Sequence, residues 1–272
     1  MKRKPDIPVT KQSGQTIDDK INTVSETADT IDFGFKTVER TAKAGLVREV
    51  FDSVAGRYDV MNDLMSGGVH RLWKSALIDW MAPQPYQHLV DLAGGTGDIS
   101  LRFLRAGGGS AAITDINHAM LMAGRKRRDL KKYSSQTSWC TGNAEALPFE
   151  AGIADFVTIA FGLRNVTDRQ AAIDEAYRVL KPGGRFLCLE FSQVKSEGLA
   201  KLYDAWSFNV LPQLGQMVAG DADSYRYLVE SIRQFPSPEV LADMFAQSGF
   251  AQVRIRSLSG GIACIHSGWK LD

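Results

Sequence analysis

Val90-Asp91-Leu92-Ala93-Gly94-Gly95-Thr96-Gly97-Asp98 is the stretch on which the fold turns. A short apolar run, His88 to Leu92, leads into a glycine turn, and Ile99 to Phe103 then begins a helix. Glycine lacks Cβ, so the backbone can bend sharply there and approach a ligand closely. The same rhythm repeats downstream. Ala111 to Thr114 predicts a second strand, closed by Asp115, and Met120, Leu121 and Ala123 mark the next helix. Thr137 to Thr141 and Phe156 to Ala160 are short and apolar, as buried parallel strands tend to be. Ile173, Ala176, Tyr177 and Leu180 form a helical stripe that Lys181-Pro182-Gly183-Gly184 ends, and Arg185 to Phe191 predicts another strand. Strands and helices alternating at these lengths imply an α/β Rossmann-like domain: a mostly parallel twisted sheet with helices on both faces.

Outside this repeat the texture differs. Residues 1–41 are polar, lack a sustained period and predict a flexible arm, so the folded domain is expected over 42–272. Leu46, Val50, Phe51 and Val54, then Trp73, Leu77 and Trp80, predict two or three helices before the first strand. Residues 196–236 break the alternation with Trp206, Phe208, Leu211, Met217, Tyr225 and Tyr227, which suggests a helical insertion able to act as a lid. Ser237-Pro238-Glu239 reads as a helix start, and Ala251 to Arg256 with Ile262 to Trp269 as a C-terminal antiparallel hairpin.

Composition narrows the function. Thirty-two basic and thirty-one acidic residues leave a net charge of +1, so no global field favours nucleic acid. The three cysteines (Cys140, Cys188, Cys264) and four histidines lack metal-ligand spacing, and a reducing cytoplasm without a metal site is expected. Nothing approaches the ~20 apolar residues of a membrane span. Contact with a membrane is therefore expected to be peripheral at most. Arg125-Lys126-Arg127-Arg128 with Lys131-Lys132 is a basic cluster that could face anionic headgroups, although such runs are commonly solvated helix ends.

The glycine turn can serve a dinucleotide or S-adenosylmethionine. A pyrophosphate wants Gly-x-Gly-x-x-Gly and bare amides. Here the third glycine is absent, and Asp91 and Asp98 bring carboxylates to the turn, which suits a cationic ligand carrying an ammonium and a sulfonium. Asp115, 18 residues beyond Gly97, is placed to accept from ribose hydroxyls. Asn143 and Ala144, after the third strand of the repeat, suit a flat base. An NAD-dependent oxidoreductase and a non-catalytic quinone- or lipid-binding subunit are the competing readings.

Three longer stretches carry a resemblance. Tyr58 to Trp73 (Tyr-Asp-Val-Met-Asn-Asp-Leu-Met-Ser-Gly-Gly-Val-His-Arg-Leu-Trp), Phe161-Gly162-Leu163-Arg164-Asn165-Val166, and Arg178 to Ser192 resemble, in this order, signatures of the ubiquinone/menaquinone biosynthesis C-methyltransferase family. The likeness runs from about Leu46 to Trp269. It implies a class I methyltransferase fold and methylation of a ring carbon of a 2-methoxy-6-polyprenyl-1,4-benzoquinol, a demethylmenaquinol, or both, with S-adenosylmethionine as donor. It places cofactor contacts at Asp91, Gly95, Thr96, Gly97, Asp115, Asn143, Ala144 and Ala160. At Ala160 many relatives carry a serine, which removes a hydroxyl from the expected set. Arg164 is expected to stabilise a phenolate or orient a water, Asn165 to fix the geometry, and Tyr58, Asp59, Asp63 and His70 are candidates for accepting the ring proton. The resemblance also leaves room for a quinone-biosynthesis complex, an inner-membrane contact and a homodimer.

Overall fold

The computed structural model describes residues 29–54, 63, 66–192, 194, 198 and 222–272. Its centre is a seven-stranded sheet of β3 (His88–Leu92), β4 (Ser110–Asp115), β5 (Thr137–Thr141), β6 (Ala154–Ala160), β7 (Leu180–Phe191), β8 (Ala251–Leu258) and β9 (Ala263–Trp269), in the order β5-β4-β3-β6-β7-β9-β8. The first five strands pair in parallel; β9 runs antiparallel to both β7 and β8, which is the hairpin foreseen from the sequence. Around Ser259–Gly261 the chain makes a 3-10 turn between β8 and β9.

Strand periodicity explains the layering. Leu187, Leu189 and Phe191 of β7 enter one apolar cluster with Trp73 and Leu77 of α2 (His70–Met81) and Phe103 of α3 (Asp98–Arg105). Phe186 and Cys188 point the other way, to Ile173 of α6 (Arg169–Val179) and to Leu241 and Phe245 of α8 (Pro238–Gln247). Successive side chains of a strand face opposite sides, so one sheet nucleates two cores. Two short helices, α4 (His118–Arg125) and α5 (Arg128–Lys131), join β4 to β5. Ser237 caps α8, its Oγ accepting from the Val240 amide, with Pro238 at the first turn.

The amino-terminal side departs from expectation. Within the stretch read as an arm, Thr30–Phe33 (β1) and Lys36–Glu39 (β2) form an antiparallel hairpin, and α1 (Arg40–Val54) begins at Arg40. The remainder of that arm lies outside the described residues. Gly34 occupies φ +59° in the two-residue turn, the position where such hairpins favour glycine. Added bulk there would meet Glu230 of α7 (Ala222–Arg233). The turn rests on α7 through a hydrogen bond from the Phe35 amide to Glu230 Oε2 (3.0 Å). Phe33 stacks on Tyr227 with ring centres 4.2 Å apart, which supplies the apolar contact that an isolated hairpin lacks. Of the insertion expected over 196–236, α7 is described and helical. Trp206, Phe208, Leu211 and Met217 lie outside the described residues.

Candidate active site

The sheet order reverses between β3 and β6, and parallel α/β sheets bind ligands above the carboxyl ends of their strands at such a point. A cleft of about 1090 Å³, part of it open to solvent, lies there. It is lined by the loops after β3, β4, β5 and β6, with Ala44, Val47 and Arg48 of α1 and Lys74 of α2 closing one side. Asp91, Gly95, Thr96, Asp115, Asn143, Ala144 and Ala160, all singled out from the sequence, line it together. Gly97 does not. It caps α3 at φ +79°, and a Cβ there would press on Leu130 and Trp139, so its role is to pack the turn.

The amides of the turn show what the cleft accepts. Gly94 donates to the Thr114 carbonyl (2.9 Å), Gly97 to that of Gly94 (2.8 Å), and Gly95 to Asp115 Oδ2 (2.9 Å). These three donors are spent within the protein and are not available to a pyrophosphate. Ser100, standing where a dinucleotide turn has its third glycine, instead anchors Asp91: its hydroxyl donates to Asp91 Oδ2 (2.8 Å) while Thr158 donates to Oδ1 (2.8 Å).

The carboxylates differ from the expected pair of open negative charges. Asp98 is ion-paired with Lys74 (2.9 Å) and Arg102 (3.4 Å). Although burial opposes it, these cations bring its pKa down to about 2. Asp91 is raised to about 6 by burial, against the bonds from Thr158 and Ser100. Asp115 is likewise raised by burial to about 6, offset by the Asn117 and Gly95 amides that it accepts. Each accepting oxygen has a second lone pair, so Asp115 keeps capacity for ribose hydroxyls. Asn143 Oδ1 accepts from the Glu145 amide (3.1 Å), and this turn sets the Asn143 amide beside Ala144. Ile116 and Met120 add apolar wall that a purine or ribose can cover. Donors, acceptors and shape fit S-adenosylmethionine.

The residues proposed for chemistry are dispersed. Asn165 lines the cleft, between Phe161-Gly162 and Val166-Thr167. Arg164, its neighbour in the same 3-10 turn Leu163–Asn165, points away: it is 2% exposed. Its Nη1 donates to the Phe161 carbonyl (2.7 Å) and to Glu190 Oε2 (2.9 Å), while Nε and Nη2 are buried without a hydrogen-bond partner among the described residues. Asp63 lines a second, shallower depression with Gly67, Gly68 and Arg71, and His70, 2% exposed, is buried beside it. His70 Nε2 lies 2.8 Å from Asp63 Oδ1, and its buried Nδ1 has no hydrogen-bond partner among the described residues. Burial outweighs Asp63 and lowers the His70 pKa, keeping the ring neutral. One helical turn on is Lys74, which reaches the cleft. Tyr58 and Asp59 fall outside the described residues.

Several lining residues were not singled out from sequence: Lys74, Arg48, Ile116, Asn117 and Met120. Lys74 carried a signal, being four residues from His70 and thus on the same helix face. Arg127 of the basic run turns inward, pairing with Asp129 and donating to Thr96 Oγ1 (3.4 Å). Its exposed neighbours Arg125, Lys126 and Arg128 fit the solvated reading of that run.

Sheet order, cleft and ligand chemistry together define a class I S-adenosylmethionine-dependent methyltransferase. The fold agrees with a methyltransferase of that kind from Thermotoga maritima (TM-score 0.59, 19% identity, covering 82% of this chain and 99% of that one). It also agrees with a phosphoethanolamine N-methyltransferase from Haemonchus contortus solved with S-adenosylmethionine (TM-score 0.55, 14% identity, 74% and 52% covered). The profile of the ubiE/COQ5 methyltransferase family matches residues 36–270, and the chain belongs to that family. It is 56% identical over 247 residues to a protein of Cereibacter sphaeroides named ubiquinone/menaquinone biosynthesis C-methyltransferase UbiE, covering 90% of this chain and 99% of that one. A protein of the same name from Acidiphilium cryptum is 57% identical over 244 residues, with 90% and 98% covered.

Proposed function

We propose that the protein transfers a methyl group from S-adenosylmethionine to a ring carbon of a polyprenylated benzoquinol, a demethylmenaquinol, or both. The observation that carries this reading is a nucleoside cleft whose glycine-turn amide at Gly95 is taken by Asp115, in a chain more than half identical to relatives named for that reaction. S-adenosylmethionine supplies an electrophilic methyl on a sulfonium. Asp115 and Asn143 would hold its nucleoside, and Thr96 with the glycine turn would face its amino-acid end.

The acceptor then has the wall formed by Asn165, Val166, Thr167, Ala44 and Val47. A phenol ionises near pH ~10, and its phenolate directs electron density to the ortho carbon. A donor beside the oxygen favours that ionisation, and Asn165 is placed to supply one. Arg164 acts at one remove, clamping the Phe161 carbonyl to Glu190 and so fixing the loop that carries Asn165. The ring proton leaves to Tyr58, Asp63 or His70; the Asp63 carboxylate holds the His70 ring through Nε2, which supports this pair. Among the described residues no helix is long and apolar enough to cross a membrane, so we place the encounter with a prenylated acceptor at the membrane surface.

Incubation with methyl-labelled S-adenosylmethionine and each reduced quinone precursor tests this directly. Label on a ring carbon of at least one precursor is expected. Tight calorimetric binding of the donor with no label on any of them would overturn the acceptor assignment.

A further inference from the structure

Asn165 has two faces, and among the described residues only its Oδ1 is met by a side-chain hydrogen bond. Its Oδ1 accepts a hydrogen bond from the Tyr227 hydroxyl (3.1 Å), while the residue itself lines the cleft. A carboxamide has one acceptor end and one donor end, so a partner that donates to Oδ1 turns the NH2 group away from itself. We infer that Tyr227 is a positioning residue for methyl transfer: by holding Asn165 Oδ1 it aims the Asn165 NH2 at the acceptor's ring oxygen. This rests on the quinol reading of the cleft.

Three observations support that assignment. Tyr227 is 5% exposed, and burial pushes its pKa up to about 12, so its hydroxyl keeps its proton and can act as donor. The ring is held in place by Phe33, stacked at 4.2 Å and 22°. Glu230, three residues further along α7 and on the same face, receives the Phe35 amide at the hairpin turn. The hairpin β1-β2 therefore grips α7 at two points and delivers Tyr227 to Asn165, across 62 residues of sequence.

Tyr227→Phe keeps the ring and its stacking and removes only the hydroxyl. The expected result is a fall in kcat of roughly ten- to hundredfold, with the KM for S-adenosylmethionine and the melting temperature nearly unchanged. Asn165→Ala should fall at least as far, and the double variant no further than Asn165→Ala alone, because the hydroxyl acts only through the amide. Independently of turnover, the Asn165 side-chain amide resonances in a ¹⁵N spectrum should shift in Tyr227→Phe. Wild-type kcat in Tyr227→Phe, multiplicative losses in the double variant, or an unmoved Asn165 resonance would each overturn the proposal. A wild-type protein that methylates no quinol would instead overturn the acceptor assignment, while the resonance still reports the hydrogen bond.

Discussion

Replacing Glu190 with glutamine should be among the most damaging isosteric changes available in this chain. The carboxylate and the Arg164 guanidinium are each 1% exposed, and they meet at 2.9 Å. Glu190 also accepts from the Arg164 amide (3.2 Å) and the Phe191 amide (3.2 Å). In Glu190→Gln the shape survives, but one acceptor oxygen becomes an NH2 facing donors, and the guanidinium charge is left uncompensated. Breaking a buried pair in this way costs about 3–5 kcal/mol. At this chain length that lowers the melting temperature by roughly 6–15 °C. The assay is urea unfolding followed by circular dichroism, with S-adenosylmethionine omitted. Arg164 Nε and Nη2 already lack hydrogen-bond partners among the described residues, so the pair itself is expensive. The double change Arg164→Met with Glu190→Leu should therefore recover more than half of the loss. A Glu190→Gln protein within about 1 kcal/mol of wild type, or a double variant no better than the single one, would refute the charge argument.

Asp115→Asn should weaken S-adenosylmethionine binding by roughly ten- to hundredfold in calorimetric titration, since a charged acceptor for ribose hydroxyls contributes about 1.5–3 kcal/mol. Because Asp115 titrates at about 6, wild-type affinity should also decline as pH falls from 7.5 to 5; affinity flat across that window would count against Asp115 as the ribose acceptor. Asp91 is also raised to about 6, so the folded protein binds its proton more tightly than the unfolded chain, and the stability this brings is lost as pH rises through about 6. His70, His88 and His266, all lowered by burial, pull the other way, so the comparison must be with Asp91→Asn: wild type should lose stability relative to that variant between pH 5 and 7.5. Arg164→Ala strands Glu190 in the interior and should cost about 3–5 kcal/mol of stability; at a temperature where the variant stays folded, methyl transfer should fall while donor binding, read by calorimetry, survives, and lost donor binding would contradict a role confined to the Asn165 side of the loop.

How much of this was legible in the chain differs by region. His88–Leu92 and Ala154–Ala160 end where the apolar runs end, because parallel strands buried on both faces leave an unbroken hydrophobic signature, whereas Thr137–Thr141, read the same way, lies at the sheet edge with no fully buried residue. The hairpin did not show. Gly34 between Ile31-Asp32-Phe33 and Thr37-Val38 is a turn signal, but its apolar residues are few and find their partner in Tyr227, nearly two hundred residues away. Arg164 was read as facing substrate because it is the cation in the stretch Phe161–Val166 that resembles the family's active-site signature. The contrary clue was Glu190, a lone charge within Leu187-Cys188-Leu189-Glu190-Phe191, which needs an interior partner. Asp98 was expected to offer a free charge to the ligand. Its neutralisation by Lys74, 24 residues earlier on another helix, depends on tertiary packing that no spacing rule contains.

The strand latest in sequence does not sit at the rim. Ala263–Trp269 slots between two earlier strands, and during synthesis Leu180–Phe191 must wait with a bare row of amides and carbonyls until it emerges. Until then Ala251–Leu258 also has no neighbour to join. Truncations that stop short of Ala263 would leave the cleft's own residues untouched, yet they should yield aggregates, with a raw sheet edge open to intermolecular pairing.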